Sequence, residues 1–507
     1  MPAYLRLLKN EYYDSVTLMS LTATLKKEFS DREIFLLMGT DMNLDLIRSI
    51  GFSPALIEGA TPNDCLVGVQ GDSVHESDLE GLVHRLKSAN DTVVTSGKAV
   101  LDYPTLTAAN QAFKGNVALI SVPGAYAAYE AHQALNENLH VMLFSDNVSV
   151  EDEIILKDKA IEKGLLLMGP DCGTAILNGV GLAFANHVRR GNIGLVAASG
   201  TGLQEVTTLI DRFGGGISQA IGTGGRDLSE AVGGRMMMHA IRMLAEDPMT
   251  DVITLISKPP AESVNEKIMA LLKTIVHKKV VIGFIDGKKP EESSFLHAST
   301  LAETAYLSLK AAGLQPPLFE TMTKAQERTV RAYKTQGQWI RGLYCGGTLC
   351  SEAISLARKS LPDCYSNVSK KKEEHLDDVF HSKGHCFVDL GDDVFTNGRP
   401  HPMIEPTIRL ERLLQEAKDP EVGVLLLDFE LGYGSHRDPV GTHAEILKQF
   451  KEKRPDVPII AYVCGTALDF QNLKQQEEKL KELGVLLASS HAQAVRYAIA
   501  SLKGVSQ

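Results

Sequence analysis

Cysteine is scarce and scattered in this chain. Its seven thiols, at positions 65, 172, 345, 350, 364, 386 and 464, are odd in number and include no CxxC pair. That usage points to reduced thiols in a cytoplasm and against a zinc site, so no metal is expected. Positive charge is also short: 52 Lys and Arg against 63 Asp and Glu leave a net charge of −11. Nucleic acid and anionic membrane surfaces are therefore not expected partners. No apolar run approaches the ~20 residues of a membrane span. The opening stretch, MPAYLRLLKNEYY, has no apolar signal core or small-residue cleavage site. The expected location is the cytoplasm.

What is present is ordinary for a globular protein, 44% apolar and 23% charged over 507 residues. That is chain enough for three or four domains of roughly 100–200 residues. The most informative stretch is Asn192–Glu205, NIGLVAASGTGLQE. Ile193–Ala197 reads as a buried strand. Ser199-Gly200-Thr201-Gly202 is a tight loop whose glycines let backbone N–H groups approach a ligand. From Thr201 the period turns helical, with Leu203, Val206, Leu209, Ile210 and Phe213 on one face and Gly214 as the stop. A helix start with two hydroxyls suits an anion, phosphate first. The alternative is a plain glycine-rich β–α turn.

Residues 1–111 alternate apolar strands (Glu33–Met38, Cys65–Val69) with a helix at Asp78–Ser88 and carry no catalytic motif. From 112 the strand–turn–helix pattern sharpens. Strands at Asn116–Val122, His140–Phe144 and Leu165–Met168 run into the turns Val122-Pro123-Gly124, Ser145–Asn147 and Gly169–Gly173. Three such units predict a parallel, doubly wound sheet with its ligand at the strand ends. Further strands are expected at Asp251–Ile256 and Val280–Ile285, with a helix near 236–246.

The chain then repeats itself. IRGLYCGGTLCSE at 340–352 is again strand, Gly-Gly-Thr, helix; EAKDPEVGVLLLD at 416–428 matches AEDPMTDVITLI at 245–256; Pro458–Cys464 matches Val280–Ile285. A unit about 150 residues long is thus duplicated, at 189–315 and 336–507, as two domains rather than a solenoid. Thr321–Gln338 is the polar joining element, and Lys370–His385 a charged insertion expected to be a solvated loop or hairpin. If the repeats pack with twofold pseudosymmetry, two positive helix ends, Ser199-Gly200-Thr201 and Gly346-Gly347-Thr348, face one anion. Each contributes ~0.3–1 kcal/mol, and more when partly buried. Two turn-rich runs at strand ends add imidazoles: Asn397–Pro402 with His401, and Gly434–Asp438 with His436. Arg226 and Lys98 are further candidate anion partners. Cys172 and Cys345 sit beside the loops but have no identifiable base.

These stretches carry a resemblance. The run from Val122-Pro123 through GPDCG, SGTG and GTGG resembles the α subunit of succinyl-CoA synthetase. The part from 336 onward resembles the carboxy-terminal domain of that enzyme's β subunit. The fused order, with MGPDCGTAI, RRGNIGLVAASGTG, GTGGRDLSE, YCGGTLCSE, FTNGRPHPMIEPT and GSHRDPVG, is similar to FdrA-type proteins.

The resemblance implies an α/β fold: a Rossmann-like CoA-binding domain at 112–188 and two flavodoxin-like ligase-type domains at 189–335 and 336–507, after an α/β N-terminal region at 1–111. It implies CoA at Val122, Pro123, Gly124, Ser145, Asn147, Asp171, Cys172 and Gly173. It implies chemistry at the two helix starts, with phosphate or carbamoyl phosphate as substrate, a carboxylate co-substrate, and partner subunits or a homo-oligomer. The reaction implied is acyl-CoA-synthetase-like, or carbamoyl transfer between oxalurate and phosphate in ureide catabolism. The alternatives are an acyl-CoA ligase working through His297 and a non-catalytic acyl-CoA-binding scaffold. The chain departs from the ligases in three ways. His297 lacks flanking glycines. Lys258-Pro259-Pro260 stands where a glutamate would orient the histidine. No ATP-grasp domain is present.

Overall fold

The computed structural model describes residues 2–503 except 12, 14, 30, 41–42, 45–46, 49, 62, 73, 93–102, 288–289, 291–292, 334 and 397–398. The chain forms two compact units, Met1–Tyr103 with Thr396–Pro400, and Pro104–Phe395 with His401–Gln507.

In the first unit β1 (Ala3–Leu8), β2 (Glu33–Met38) and β3 (Cys65–Gln70) make an antiparallel sheet in the order β1-β3-β2. Period-two alternation divides its faces. Cys65, Val67 and Val69 meet Leu18 and Leu25 of α1 (Ser15–Glu28) and Leu79, Leu82 and Leu86 of α2 (Glu76–Thr92). Leu5 and Leu66 meet Ile47, Phe52 and Ile57 on the other side.

The second unit begins with a parallel sheet, β4 (Val117–Ile120), β5 (His140–Leu143) and β6 (Leu167–Met168), carrying α3 (Gly124–Asn136) and α4 (Val150–Glu162). The hairpin β7 (Thr174–Leu177) and β8 (Val180–Ala183) follows. Then come β9 (Arg190–Ala197), α5 (Gly200–Arg212), β10 (Ile217–Gly222), α6 (Arg235–Glu246), β11 (Val252–Ser257), β12 (Lys279–Phe284) and β13 (Leu296–Ala298). Together β7–β13 make one sheet in the order β13-β12-β11-β9-β10-β7-β8. The hairpin joins it antiparallel, Ala220 opposite Ile176. This sheet therefore draws strands from both sides of the boundary expected at 188.

The second repeat has β14 (Trp339–Tyr344), α7 (Gly347–Ala357), β15 (Cys364–Ser366), β16 (His385–Asp389), α8 (Thr407–Glu416), β17 (Val422–Glu430), α9 (Pro439–Lys453), β18 (Ile459–Cys464), β19 (Leu486–Leu487) and α10 (His491–Lys503). Its sheet runs β15-β16-β14-β17-β18-β19. Set beside β10-β9-β11-β12-β13, the run β16-β14-β17-β18-β19 is the same 2-1-3-4-5 order, that of flavodoxin-like folds. The duplication expected from sequence is a duplication of topology. The two repeats share one core, in which Leu203, Val206 and Ile210 of α5 pack with Leu349, Ala353 and Ile354 of α7 and Val495 and Ala498 of α10.

The charged insertion is less solvated than expected. Glu374 and Leu376 are buried, because Arg358 Nη1 donates to Glu374 Oε2 at 2.9 Å and Ser369 also donates to it.

Candidate functional site

In each repeat the helix after the first strand begins at the point where strand order reverses, the usual ligand crevice of open α/β sheets. Ser199 is extended and caps α5, its Oγ accepting from Gly202 N at 3.0 Å. A Cβ on Gly202 would lie 2.4 Å from that oxygen, so the cap requires glycine there. Gly346 has no side chain to cap α7. Asp428, near the end of β17, holds the loop instead, accepting from Cys345 N and Gly346 N, each at 3.0 Å.

The two starts meet. Ser199 Oγ lies 2.6 Å from Thr348 Oγ1, and Thr348 N donates to Thr201 Oγ1 at 3.3 Å. A Cβ on Gly346 would come within 3.0–3.2 Å of the Thr201 side chain, so glycine permits the approach. Two first turns, whose N–H groups have no partner within their own helix, converge on one place. Ser199, Gly200, Thr201, Gly346, Gly347 and Thr348 are thus brought together.

Charged groups from both repeats surround this meeting point. Lys258 follows β11 and is half-buried; burial pushes its ammonium down, and Asp389 and Asp392 counter that. Asp389 ends β16, where a Cβ on Gly347 would stand 2.5 Å from its Oδ2. Burial pushes the Asp389 carboxyl up to about 7, against the pull of a hydrogen bond from Gly391 N. Sequence reasoning missed Asp389 and Asp428. The available signal was the pattern itself, acidic residues inside strands otherwise apolar and buried, as in VGVLLLDFE.

His401 is half-buried, its ring 5.6 Å from Phe184, with Nδ1 accepting from Met403 N at 3.2 Å. Burial pushes it down to about 4, so it stands as a neutral imidazole. His436 lies on a neighbouring loop, its backbone N–H donating to Met403 O at 2.8 Å and its Nδ1 accepting from Asp438 N at 3.0 Å. Lys98, Asn397 and Gly398 lie outside the described residues.

The residues expected at CoA form a second cluster, at the ends of β4, β5 and β6. Ser145 Oγ donates to Val122 O at 2.5 Å, and Asp171 N to Ser145 O at 3.0 Å. Gly124 starts α3 behind Pro123; a Cβ there would meet Asp146 O at 2.3 Å and Asn147 O at 2.6 Å. Asn147 and Asp171 both take positive φ. Gly173 O accepts from Phe184 N at 2.8 Å. Cys172 is buried and its thiol is pushed up to about 12 by burial, which leaves it inert.

Arg226 belongs to this cluster and not to the helix starts. Its guanidinium donates to Val148 O at 2.8 Å and pairs with Glu153 at 3.0 Å. Asp171 is pushed up to about 6, first by burial and next by Asp146. This edge is therefore acidic, with its arginine paired to Glu153.

Beneath the helix starts the pseudosymmetry continues. Glu205 and Glu352 each lie six residues past the cap, and both are buried. His491 joins them: its backbone N–H donates to Glu205 at 3.2 Å and its Nδ1 donates to Glu352.

Comparison with known proteins agrees with this architecture. A family model described as CoA-ligase matches residues 343–501, one described as CoA binding domain matches 188–284, and one described as AllF, heavy metal-associated domain, matches 1–99. The CoA-binding match thus falls on the first flavodoxin-like repeat. The succinate–CoA ligase [ADP-forming] subunit alpha-2 of Trichomonas vaginalis is 29% identical over 237 residues, covering 43% of this chain and 75% of that one. A dinucleotide-forming acetyl-coenzyme A synthetase of Ca. Korarchaeum cryptofilum, solved with phosphate and ADP, covers 82% of this chain and 87% of its own at 14% identity, with a TM-score of 0.32. Fold and family models together define an α/β protein built from a CoA-binding-type and a CoA-ligase-type domain. Within that class the chain belongs to the family of the uncharacterized protein YahF of Escherichia coli K12, to which it is 46% identical over 491 residues, 95% of each chain.

Proposed function

We propose that the chain is the enzyme component of an FdrA-type, acyl-CoA-synthetase-like system that joins or separates a phosphate and a carboxylate or carbamoyl group where α5 and α7 meet. The observation that carries this reading is the 2.6 Å contact between Ser199 Oγ and Thr348 Oγ1, which places two helix starts from two repeats against one another. A phosphate oxygen there accepts from first-turn N–H groups and from the hydroxyls of Ser199, Thr201 and Thr348, with Lys258 adding positive charge. Carbamoyl transfer from oxalurate needs little more. A phosphate oxygen attacks the carbamoyl carbon, the C–N bond breaks, and the departing nitrogen takes a proton. Asp389, pushed up to about 7, is suited to hold that proton near neutral pH. The preorganised donors act by positioning and electrostatics.

His297 has no part in this scheme. It sits in β13, opposite Ile282, with Nε2 2.8 Å from Ser293 Oγ. That is a strand position and not the mobile loop a phosphohistidine shuttle uses. Partner subunits and a cytoplasmic setting accompany the proposal; among the described residues no helix is long and apolar enough to cross a membrane.

Inorganic phosphate titrated into the full chain by calorimetry tests the reading. Thr201→Val and Thr348→Val are each expected to weaken phosphate at least ~10-fold, about 1.4 kcal/mol. Undiminished affinity in both variants would remove the helix starts as the anion site.

A further inference from the structure

A cavity of about 340 Å³ lies toward the other end of α7 from the helix starts. That is the size of a small-molecule pocket. Leu356, which lines it, stands nine residues past Gly347, roughly 14 Å along the helix at about 1.5 Å per residue. Four stretches enclose the space. Thr300 caps the helix Leu301–Ala311 of the first repeat. Met322 and Arg331 belong to the joining element, and Lys359 follows the last turn of α7. Arg496 and Ile499 stand at i and i+3 on α10 and so share one face. Both repeats and the segment between them thus supply walls.

The charge of these walls is the reverse of the chain's. Arg331, Lys359 and Arg496 all line the cavity and no carboxylate does, in a chain whose net charge is −11. The nearby acids are engaged by other groups. Glu327 accepts from Arg331 Nε at 3.0 Å. Glu320 pairs with Arg496 Nη2 and accepts from Thr300 Oγ1 at 3.1 Å. Glu303 accepts from Ser299 N at 2.8 Å. Arg496 still has donors to spare, and its Nε is buried without a hydrogen-bond partner. Lys359 is exposed and has no ion-pair partner among the described residues.

The rest of the lining sets the other half of the ligand. Met322, Leu356 and Ile499 give the cavity an apolar wall. A bare inorganic ion leaves that wall wet, whereas a hydrocarbon body removes it from water. One cation without a partner calls for one anionic group. A carboxylate suits it, since an ammonium and the spare guanidinium donors can both reach its two oxygens as charge-assisted hydrogen bonds.

We propose that this cavity binds a small organic monocarboxylate, its hydrocarbon body against Met322, Leu356 and Ile499 and its carboxylate toward Lys359 and Arg496. Such a ligand touches both repeats and the joining element at once, so its binding ties them together and raises the melting temperature. The site shares no residue with the helix starts. It stands or falls independently of the phosphate reading above.

The test titrates hexanoate and 4-fluorobenzoate into the full chain carrying methyl-labelled methionine, read by methyl NMR. The Met322 resonance, assigned by its loss in Met322→Leu, is expected to move and saturate with at least one of the two acids. Hexan-1-ol, the same body without the charge, is expected to bind at least ~10-fold more weakly. Lys359→Glu changes an exposed side chain and leaves the fold in place; it is expected to weaken the acid ~10-fold. Thr348→Val, which lies at the helix starts, is expected to leave the acid's affinity unchanged. Three results would overturn the site: a Met322 signal indifferent to both acids, hexan-1-ol binding as well as hexanoate, or full affinity in Lys359→Glu.

Discussion

Glu205 shows how one side chain reports the state of the core between the repeats. Burial pushes its carboxyl up to about 7, from 4.5 when exposed. Between those values the folded chain binds more protons at this position than the unfolded chain. The stability it contributes is therefore complete below about 4.5 and is lost as the pH rises through about 7. Glu205→Gln keeps an acceptor for His491 N and does not titrate. The melting temperature of this variant, minus that of the parent, is expected to climb from pH 4.5 to 7 and then level off. A flat difference over that window would mean that Glu205 is ionised in the folded chain. Nothing in the local sequence marks Glu205 as buried, since LQEV reads as an ordinary helix surface. Its equivalence with Glu352, at the same distance past the cap, was legible from the repeat.

Elements were legible wherever period and punctuation agreed. The helix expected from Thr201 is Gly200–Arg212, the one expected near 236–246 is Arg235–Glu246, and Glu33–Met38 is a strand as expected. The hairpin Thr174–Ala183 was not legible, because four-residue strands are too short for a period to show. Nor was the way elements are tied together, which depends on residues far apart in sequence.

Lys157 on α4 is the clearest case. It is buried and donates to Glu153 Oε1 at 2.7 Å, to Thr223 O at 3.0 Å and to Asp227 Oδ1 at 2.8 Å. Asp227 in turn accepts from Met237 N at 2.8 Å at the start of α6. One ammonium thus joins α4, the loop after β10 and the start of α6. Lys157→Ala would leave two carboxylates buried with less compensation. A loss of about 3–5 kcal/mol is expected, measured by urea denaturation of the second unit's transition. A loss under ~1 kcal/mol would mean that water reaches the pair.

At the scale of the whole second unit, the two repeats are one folding problem. Residues Gly202–Asp211 of α5 are buried without a break, and so are most of Thr348–Ala357 in α7. A helix buried on every side has no solvent face, which requires cover from two directions. For α5 that cover is its own sheet on one side, with the helix Leu301–Ala311 and α7 closing the others. The start of the joining element and the residues just before it add to this, because Gln493 of α10 donates to Thr321 O at 2.8 Å and Ser490 to Phe319 O at 3.0 Å. Separating the repeats would expose Leu203, Val206, Leu209 and Ile210 in part, at up to about 1.5–3 kcal/mol per side chain. That is comparable to the ~5–15 kcal/mol by which a domain is stable at all. Residues 104–335 and 336–507 produced separately are therefore expected to be insoluble or molten. Produced together, they should copurify as one complex with a single thermal transition. If either half alone gives a sharp, reversible melt and a dispersed amide spectrum, each repeat owns its core. The contact between Ser199 and Thr348 would then be a docking contact between finished domains, free to open and close, and not a fixed feature of one.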